Sequence, residues 1–295
     1  MYKIKHRMVP FFFIGPSVLL LIVFSIIPIF VSLGISFTDM DLAGLANWSK
    51  VKFIGLENFR DLLTDKVFLQ SIVNTLFYVV IGVPMVIIIS LAIALLLNYT
   101  TNALFSVFRA VYYMPSITNI VAVSVIWSYL YNQNYGLFNR LLALVHIDAV
   151  PWLEHPLIAK LSLLLLAIWK GIGVDMIIFL AALQAIPKMY YEAAEIDGAN
   201  HWQQLWYITL PSLRYAIFFV TVTKLIGWLQ FFGEPFVMTG GGPLNGTLST
   251  ALFIYQEGFE FSKFGYAAAA SLVLFVLIIV VTLIQFRFRN SDQSM

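Results

Sequence analysis

Long apolar stretches alternate with short polar ones along most of the chain. Six are long enough to cross a bilayer, which takes about 20 apolar residues in a helix. They run at about 11–36, 68–97, 105–131, 157–186, 214–238 and 264–286. Each predicts a transmembrane helix, since an isolated span must satisfy its own backbone groups in lipid. Pro28, Pro84 and Pro115 fall inside or beside these runs and predict kinks. The first run follows Lys3, Lys5 and Arg7. It is too long for a signal-peptide core, so it reads as an uncleaved helix. Basic residues there, and Arg287 with Arg289 at the other end, put both termini in the cytoplasm. The expected map is a cytoplasmic tail over 1–10, a transmembrane domain over 11–286 and a second cytoplasmic tail over 287–295. The outer segments 37–67, 132–156 and 239–263 leave no room for a large extracellular domain. The expected fold class is therefore an all-α integral membrane protein, multi-pass in the cell membrane, with the lipid bilayer as its main solvent.

The polar segment between the fourth and fifth runs, 187–213, has a pattern of its own. Pro187 suits the first turn of a helix, where its missing donor costs nothing. Residues 188–196 are good helix formers, and Gly198 can take the left-handed conformation that ends a helix. Asn200 with Gln203 three residues on predicts a capping box for a second helix. That helix places Trp202, Leu205 and Trp206 on one face, as in a segment lying on the membrane interface. A cytoplasmic loop is expected to be basic, yet this one sets Glu192, Glu195 and Asp197 against Lys188. Ala193 and Ala194 let a neighbouring backbone come close. The pattern fits either a solvated connection or a short acidic helix built to dock on a soluble partner.

Composition agrees with lipid as the solvent. Hydrophobic residues make up 61% of the chain and charged ones 11%, against roughly a quarter charged in a soluble domain. The net charge of +2 gives no footprint for nucleic acid. The absence of cysteine excludes disulfides, thiolate metal sites and cysteine nucleophiles. No two of His6, His146, His155 and His201 are at metal-ligand spacing, so no metal site is expected. All four lie in tails or loops, away from the midplane where a membrane-embedded enzyme would want them, so no catalytic residue is expected.

The polar loop resembles the cytoplasmic signature of binding-protein-dependent ABC importer permeases. In that signature, Glu-Ala-Ala, three intervening residues, Gly, nine intervening residues and Ile-x-Leu-Pro follow in order. Glu192, Ala193, Ala194, Gly198, Ile208, Leu210 and Pro211 match it at every spacing. The flanking 182–187 and 197–199 stretches and Thr239-Gly-Gly-Gly-Pro243 are similar to the carbohydrate-uptake branch of that family, the maltose and glycerol-phosphate type. The resemblance implies six transmembrane helices in the type I ABC importer arrangement, with 188–198 as a coupling helix. It implies that Glu192, Ala193, Ala194, Asp197 and Gly198 meet a cytoplasmic ATPase. No G-x-x-x-x-G-K-[ST] stretch occurs in the sequence. ATP and magnesium are therefore expected on a separate dimer of ATPase subunits, with no cofactor in this chain. A second, similar permease subunit and an extracellular or periplasmic solute-binding protein complete the implied complex. The implied function is ATP-driven import of a sugar or oligosaccharide by alternating access, with this chain non-catalytic.

Several charges fall inside the apolar runs. Lys170 and Asp175 lie in the fourth, Lys224 in the fifth, and Glu234 nearer its outer end. At about 1.5 Å per residue, Lys224 sits roughly 15 Å in from residue 214, near the midplane, and is expected to face the bundle interior. Lys224, Trp228, Phe231 and Pro235 share one helical stripe, an aromatic surface with one polar head that suits a sugar. The same rings also suit plain packing. A gapless alignment on the signature puts the maltose system's contact positions near Lys170, Gly171, Val174, Lys224, Trp228 and Phe231. Gly171-Ile172-Gly173 is read either as a point where the helix unwinds or as loose packing. Lys170 and Asp175 are about 140° apart on a helix and are not expected to pair with each other. Either lysine can pair with Asp175 or Glu234. Two lysines near one cavity also allow an anionic sugar derivative, a uronate or sugar phosphate. A stand-alone secondary transporter is a weaker alternative, because it predicts inverted repeats that the sequence lacks.

Overall fold

The computed structural model describes residues 13–98 and 103–291, so Lys3, Lys5 and Arg7 lie outside the described residues. Helices α1 (Phe13–Ile35), α2 (Leu42–Ala46), α3 (Glu57–Thr64) and α4 (Lys66–Asn98) come first. Helices α5 (Ala103–Ile117), α6 (Ile120–Leu130), α7 (Leu137–Leu144) and α8 (Pro156–Gln184) follow. Then come α9 (Lys188–Ile196), α10 (His201–Gln204), α11 (Arg214–Leu229), α12 (Gly233–Met238), α13 (Thr250–Tyr255) and α14 (Phe264–Ser291). The β-structure among the described residues is one isolated bridge, Thr38 to Phe53.

Among the described residues, five stretches are helical, long and apolar enough to cross a membrane: Phe13–Ile35, Lys66–Asn98, Pro156–Gln184, Arg214–Met238 and Phe264–Arg287. The third apolar run is not one straight helix. It is the pair Phe105–Ile117 and Ile120–Leu130, bent by 99°. Thr118 ends the first half by folding its hydroxyl back on the Pro115 carbonyl at 2.6 Å. Asn119 then caps the second half, accepting from the amides of Val121 and Ala122. Hydropathy reads straight across this break because both halves are apolar.

The chain divides into two compact units. The smaller contains 1–66 and 253–276. Within it, the buried Asn58 amide donates to the carbonyls of Ser36 and Thr38, both at 2.9 Å, tying α3 to the end of α1. Tyr266 donates to Asp65 at 2.8 Å. None of α1's apolar residues is buried within the chain, so lipid or another subunit must cover it.

The larger unit contains 67–252 and 277–295. Its core is built where α4, α8 and α11 meet: Tyr78, Val83 and Val86, then Leu163, Leu164 and Ile172, then Trp228 and Leu229. A second cluster joins Leu97, Met176, Phe179, Leu213 and Val220. Close helix approach rests on small residues, as it does where lipid supplies no hydrophobic drive between helices. A Cβ on Gly173 would collide with the Tyr112 carbonyl of α5, so only glycine permits that crossing. Contrary to the unwinding expectation for 171–173, α8 stays helical throughout; the glycines serve packing. Beyond α12, the loop through Thr239–Ser249 has positive φ at Gly240, Gly241, Leu244 and Asn245. Buried side chains hold it from beneath. Asn74 of α4 donates to the carbonyls of Asn245 and Leu248, both at 2.8 Å.

Candidate functional site

In the larger unit, α8 and the α11–α12 segment enclose an open cavity of about 640 Å³. Lys224 projects from α11 and meets Asp175 of α8 at 3.0 Å, and the aspartate side chain is 1% exposed. Lys224 also donates to the Gly171 carbonyl at 3.4 Å. The ion pair therefore bridges two helices, and it explains how both charges sit in an apolar bundle.

Helix α11 ends at Leu229, and the chain turns through 230–232 before α12. The expected single stripe is thus broken after Trp228. Phe231 reaches the cavity from the turn instead, and its ring stacks on Trp228 at 5.5 Å with 7° between planes. Tyr78 backs Phe231 at 4.7 Å. Both Trp228 and Phe231 are buried and belong to the core as well as to the cavity wall.

Val174, Asp175, Lys224, Trp228 and Phe231 come together around this cavity; Lys170 and Gly171 do not line it. Lys170 is turned toward α5, donating to the Ser116 carbonyl at 3.4 Å. Gly171 faces Val86 and the Lys224 ammonium. Sequence reasoning missed Thr223, Gln230 and Glu234 as lining residues. Glu234 stood out as an acid near the outer end of a span, whereas Gln230 gave no cue because its place depends on the break after α11.

The 187–213 segment is local and regular. Helix α9 ends in a Schellman turn: Gly198 has φ +80°, the Ala199 amide donates to Ala194 at 2.8 Å and the Gly198 amide to Glu195 at 3.0 Å. Asn200 and Gln203 form a reciprocal capping box at 2.9 and 2.7 Å. No residue of α9 is buried, and Ile196 is 87% exposed. Ala193, Ala194 and Asp197 border an open groove of about 660 Å³ with Tyr207, Pro211 and Arg214. Tyr191 fixes the helix to the following segment by a 2.9 Å hydrogen bond with Thr209.

Residues 63–291 match the family model for the binding-protein-dependent transport system inner membrane component. The chain is 38% identical over 288 residues to the probable ABC transporter permease protein YesP of Bacillus subtilis, covering 96% of this chain and 91% of that one. It is 35% identical to the lactose transport system permease protein LacF of Rhizobium radiobacter, covering 93% and 91%. A bacterial alginate ABC transporter, solved in complex with an alginate pentasaccharide-bound periplasmic protein, contains a chain of the same fold. Its TM-score is 0.82 at 25% identity, over 96% of this chain and 94% of that one. A multi-pass helical chain carrying this acidic loop, matched over nearly its whole length, belongs to the binding-protein-dependent transport system inner membrane components, the permease subunits of ABC importers.

Proposed function

We propose that this subunit carries an uncharged sugar or oligosaccharide across the membrane by alternating access at the α8–α11 cavity. The carrying observation is the side-by-side placement of the stacked Trp228–Phe231 pair and the Lys224–Asp175 ion pair in one cavity wall. Aromatic rings cover the C–H face of a sugar, while Lys224, Gln230 and Glu234 supply the few polar groups that orient its hydroxyls. The lactose permease and the alginate transporter support a saccharide, and of the two the lactose permease supports a neutral one, since alginate is an acidic polysaccharide. Because Asp175 already matches Lys224 and Lys170 does not line the cavity, the lining offers no unmatched lysine, which favours a neutral solute over a uronate or sugar phosphate.

This chain is a non-catalytic subunit. ATP and magnesium bind a separate pair of ATPase subunits, and a second permease and a solute-binding protein complete the importer. Helix α9, with Glu192, Ala193, Ala194, Asp197 and Gly198, couples ATPase closure to the spans from the cytoplasmic side, where both termini also lie. The exposed face of α9 and its rigid Schellman end support that role.

Reconstitution of the full complex with its binding protein in proteoliposomes tests the reading. ATP-dependent uptake of lactose or maltose is expected, and transported sugar should protect Thr223→Cys from alkylation. Uptake of galacturonate with no neutral sugar would refute the neutral assignment. Transport without protection would refute the cavity.

A further inference from the structure

Gly82 lies on α4 and not around the cavity, yet it faces the cavity's principal ring. A Cβ built there would overlap the outer edge of the Trp228 indole, meeting Cζ3 and Cη2 and lying 2.6 Å from Cε3. Backbone conformation is not the reason for glycine, since Gly82 sits inside the regular helix α4. The reason is space: the indole occupies the notch that the missing side chain leaves. Trp228 is buried at 7% exposure, and its other face is stacked on Phe231, which Tyr78 supports from behind. An indole edge is rigid, so a methyl group at position 82 cannot be absorbed by a flexible chain end.

We propose that Gly82 is a positioning residue that seats Trp228 against α4 and thereby sets the width of the α8–α11 cavity. The inference rests on the reading of that cavity as the solute path only for its effect on transport; the seating itself is independent of it. With alanine at position 82, α4 and α11 cannot both keep their places while Trp228 keeps its rotamer. The ring is displaced from the notch toward the empty volume it borders, where it narrows the passage.

The natural chain has no cysteine, so a single Thr223→Cys in the assembled complex reports on the cavity, read by mass on this chain. Gly82→Ala should slow labelling by a bulky maleimide about tenfold, the scale of a core overpacking penalty, and slow a small methanethiosulfonate much less. Trp228→Phe lacks the outer ring edge, so Gly82→Ala/Trp228→Phe should label at the parental rate with both reagents. In a Trp228→Ala background, Gly82→Ala should change neither complex yield nor labelling, which keeps the test decisive if the single variant fails to assemble. Unchanged labelling in Gly82→Ala overturns the proposal, as does equal harm in the Trp228→Ala background. Slowed labelling with unaltered lactose and maltose uptake supports the seat and counts against the cavity as the path.

Discussion

The Lys224 ammonium lies 3.0 Å from the Asp175 carboxylate, joining α11 to α8 inside the bundle. A lone lysine at the centre of a span costs about 2.5–3.5 kcal/mol on insertion scales. A carboxylate almost wholly withdrawn from solvent is equally unwelcome without a counter-charge. Each makes the other tolerable, and together they leave the cavity wall without net charge at that point.

Removing one partner should therefore harm the protein more than removing both. Lys224→Met strands Asp175 and is expected to cost about 3–5 kcal/mol. Lys224→Met/Asp175→Leu replaces the pair by apolar groups and should recover most of that stability while transport stays impaired. Thermal unfolding of the purified complex, for each single variant and the double, gives the coupling directly. Additive losses would mean that the two groups do not interact.

The acidic loop makes a second prediction. Gly198 at φ +80° accepts an L-residue only with strain of about 1–2 kcal/mol, and no other atom stands within 4 Å of the Cβ site. Gly198→Ala should therefore assemble normally yet disturb the end of α9, and Gly198→Asp adds a charge beside Asp197. Glu192→Lys reverses the sign of the face offered to a partner. Uptake should fall at least tenfold in Gly198→Asp and Glu192→Lys with complex at the membrane, by analogy with loss of a buried interfacial contact. Parental uptake from both would remove α9 from the coupling path.

What was legible in the sequence follows from how far each interaction reaches. Helix α9 and its caps depend on residues three to five apart, so Gly198, Asn200 and Gln203 announced them. Apolar span length is likewise a local property. The partner of Lys224 is not, because α8 and α11 must cross before Asp175 becomes its neighbour rather than Glu234. The broken stripe had the same cause: Phe231 follows Trp228 by three residues, but it joins the indole from a turn and not from a helical face. The bend at Thr118–Asn119 was hidden for a different reason. Capping by two polar side chains ends a helix there without lowering the hydropathy of the run.

The loop beyond α12 should depend on one side chain of α4. Asn74 satisfies two carbonyls there, and Gln70 donates to its oxygen at 3.0 Å. Asn74→Ala takes the side-chain donor from the buried Leu248 carbonyl, at about 1–3 kcal/mol, and leaves the Asn245 carbonyl with the Leu248 amide at 3.3 Å, beneath a segment already holding Leu244 and Asn245 at positive φ. Cleavage next to the exposed Leu244 should accelerate, and stimulation of ATPase activity by the binding protein should drop. Asn74→Asp should be worse, since it turns an acceptor toward both carbonyls. Unchanged proteolysis in both variants would show that the loop is held by its own contacts, the Thr239–Thr247 hydroxyl pair at 2.7 Å and the Thr247 bond to the Gly242 carbonyl at 2.6 Å.

The two glycines on α8 separate packing from unwinding by the sign of one substitution. If Gly171 and Gly173 were there to loosen the helix, alanine at either place would strengthen it by about 1 kcal/mol, the ordinary helix-propensity difference. The contacts predict otherwise. A methyl group at 173 meets the Tyr112 carbonyl, the Ser116 hydroxyl at 2.5 Å and the Tyr113 Cα at 2.8 Å, two of them backbone atoms of α5 that cannot step aside. A methyl group at 171 meets the Val86 Cγ2 at 3.1 Å, a side-chain contact that a slight shift relieves, and only touches the Lys224 Nζ at 3.7 Å. Gly173→Ala should thus destabilise the complex by about 1–3 kcal/mol through forced separation of α5 and α8. Gly171→Ala should fall near neutrality, its propensity gain offsetting a small displacement. It should still alter uptake more than stability, because the added methyl comes into contact with the ammonium that holds Asp175. Thermal unfolding in detergent ranks the two variants. A stabilised Gly173→Ala would restore the unwinding view and reject the close α5–α8 crossing.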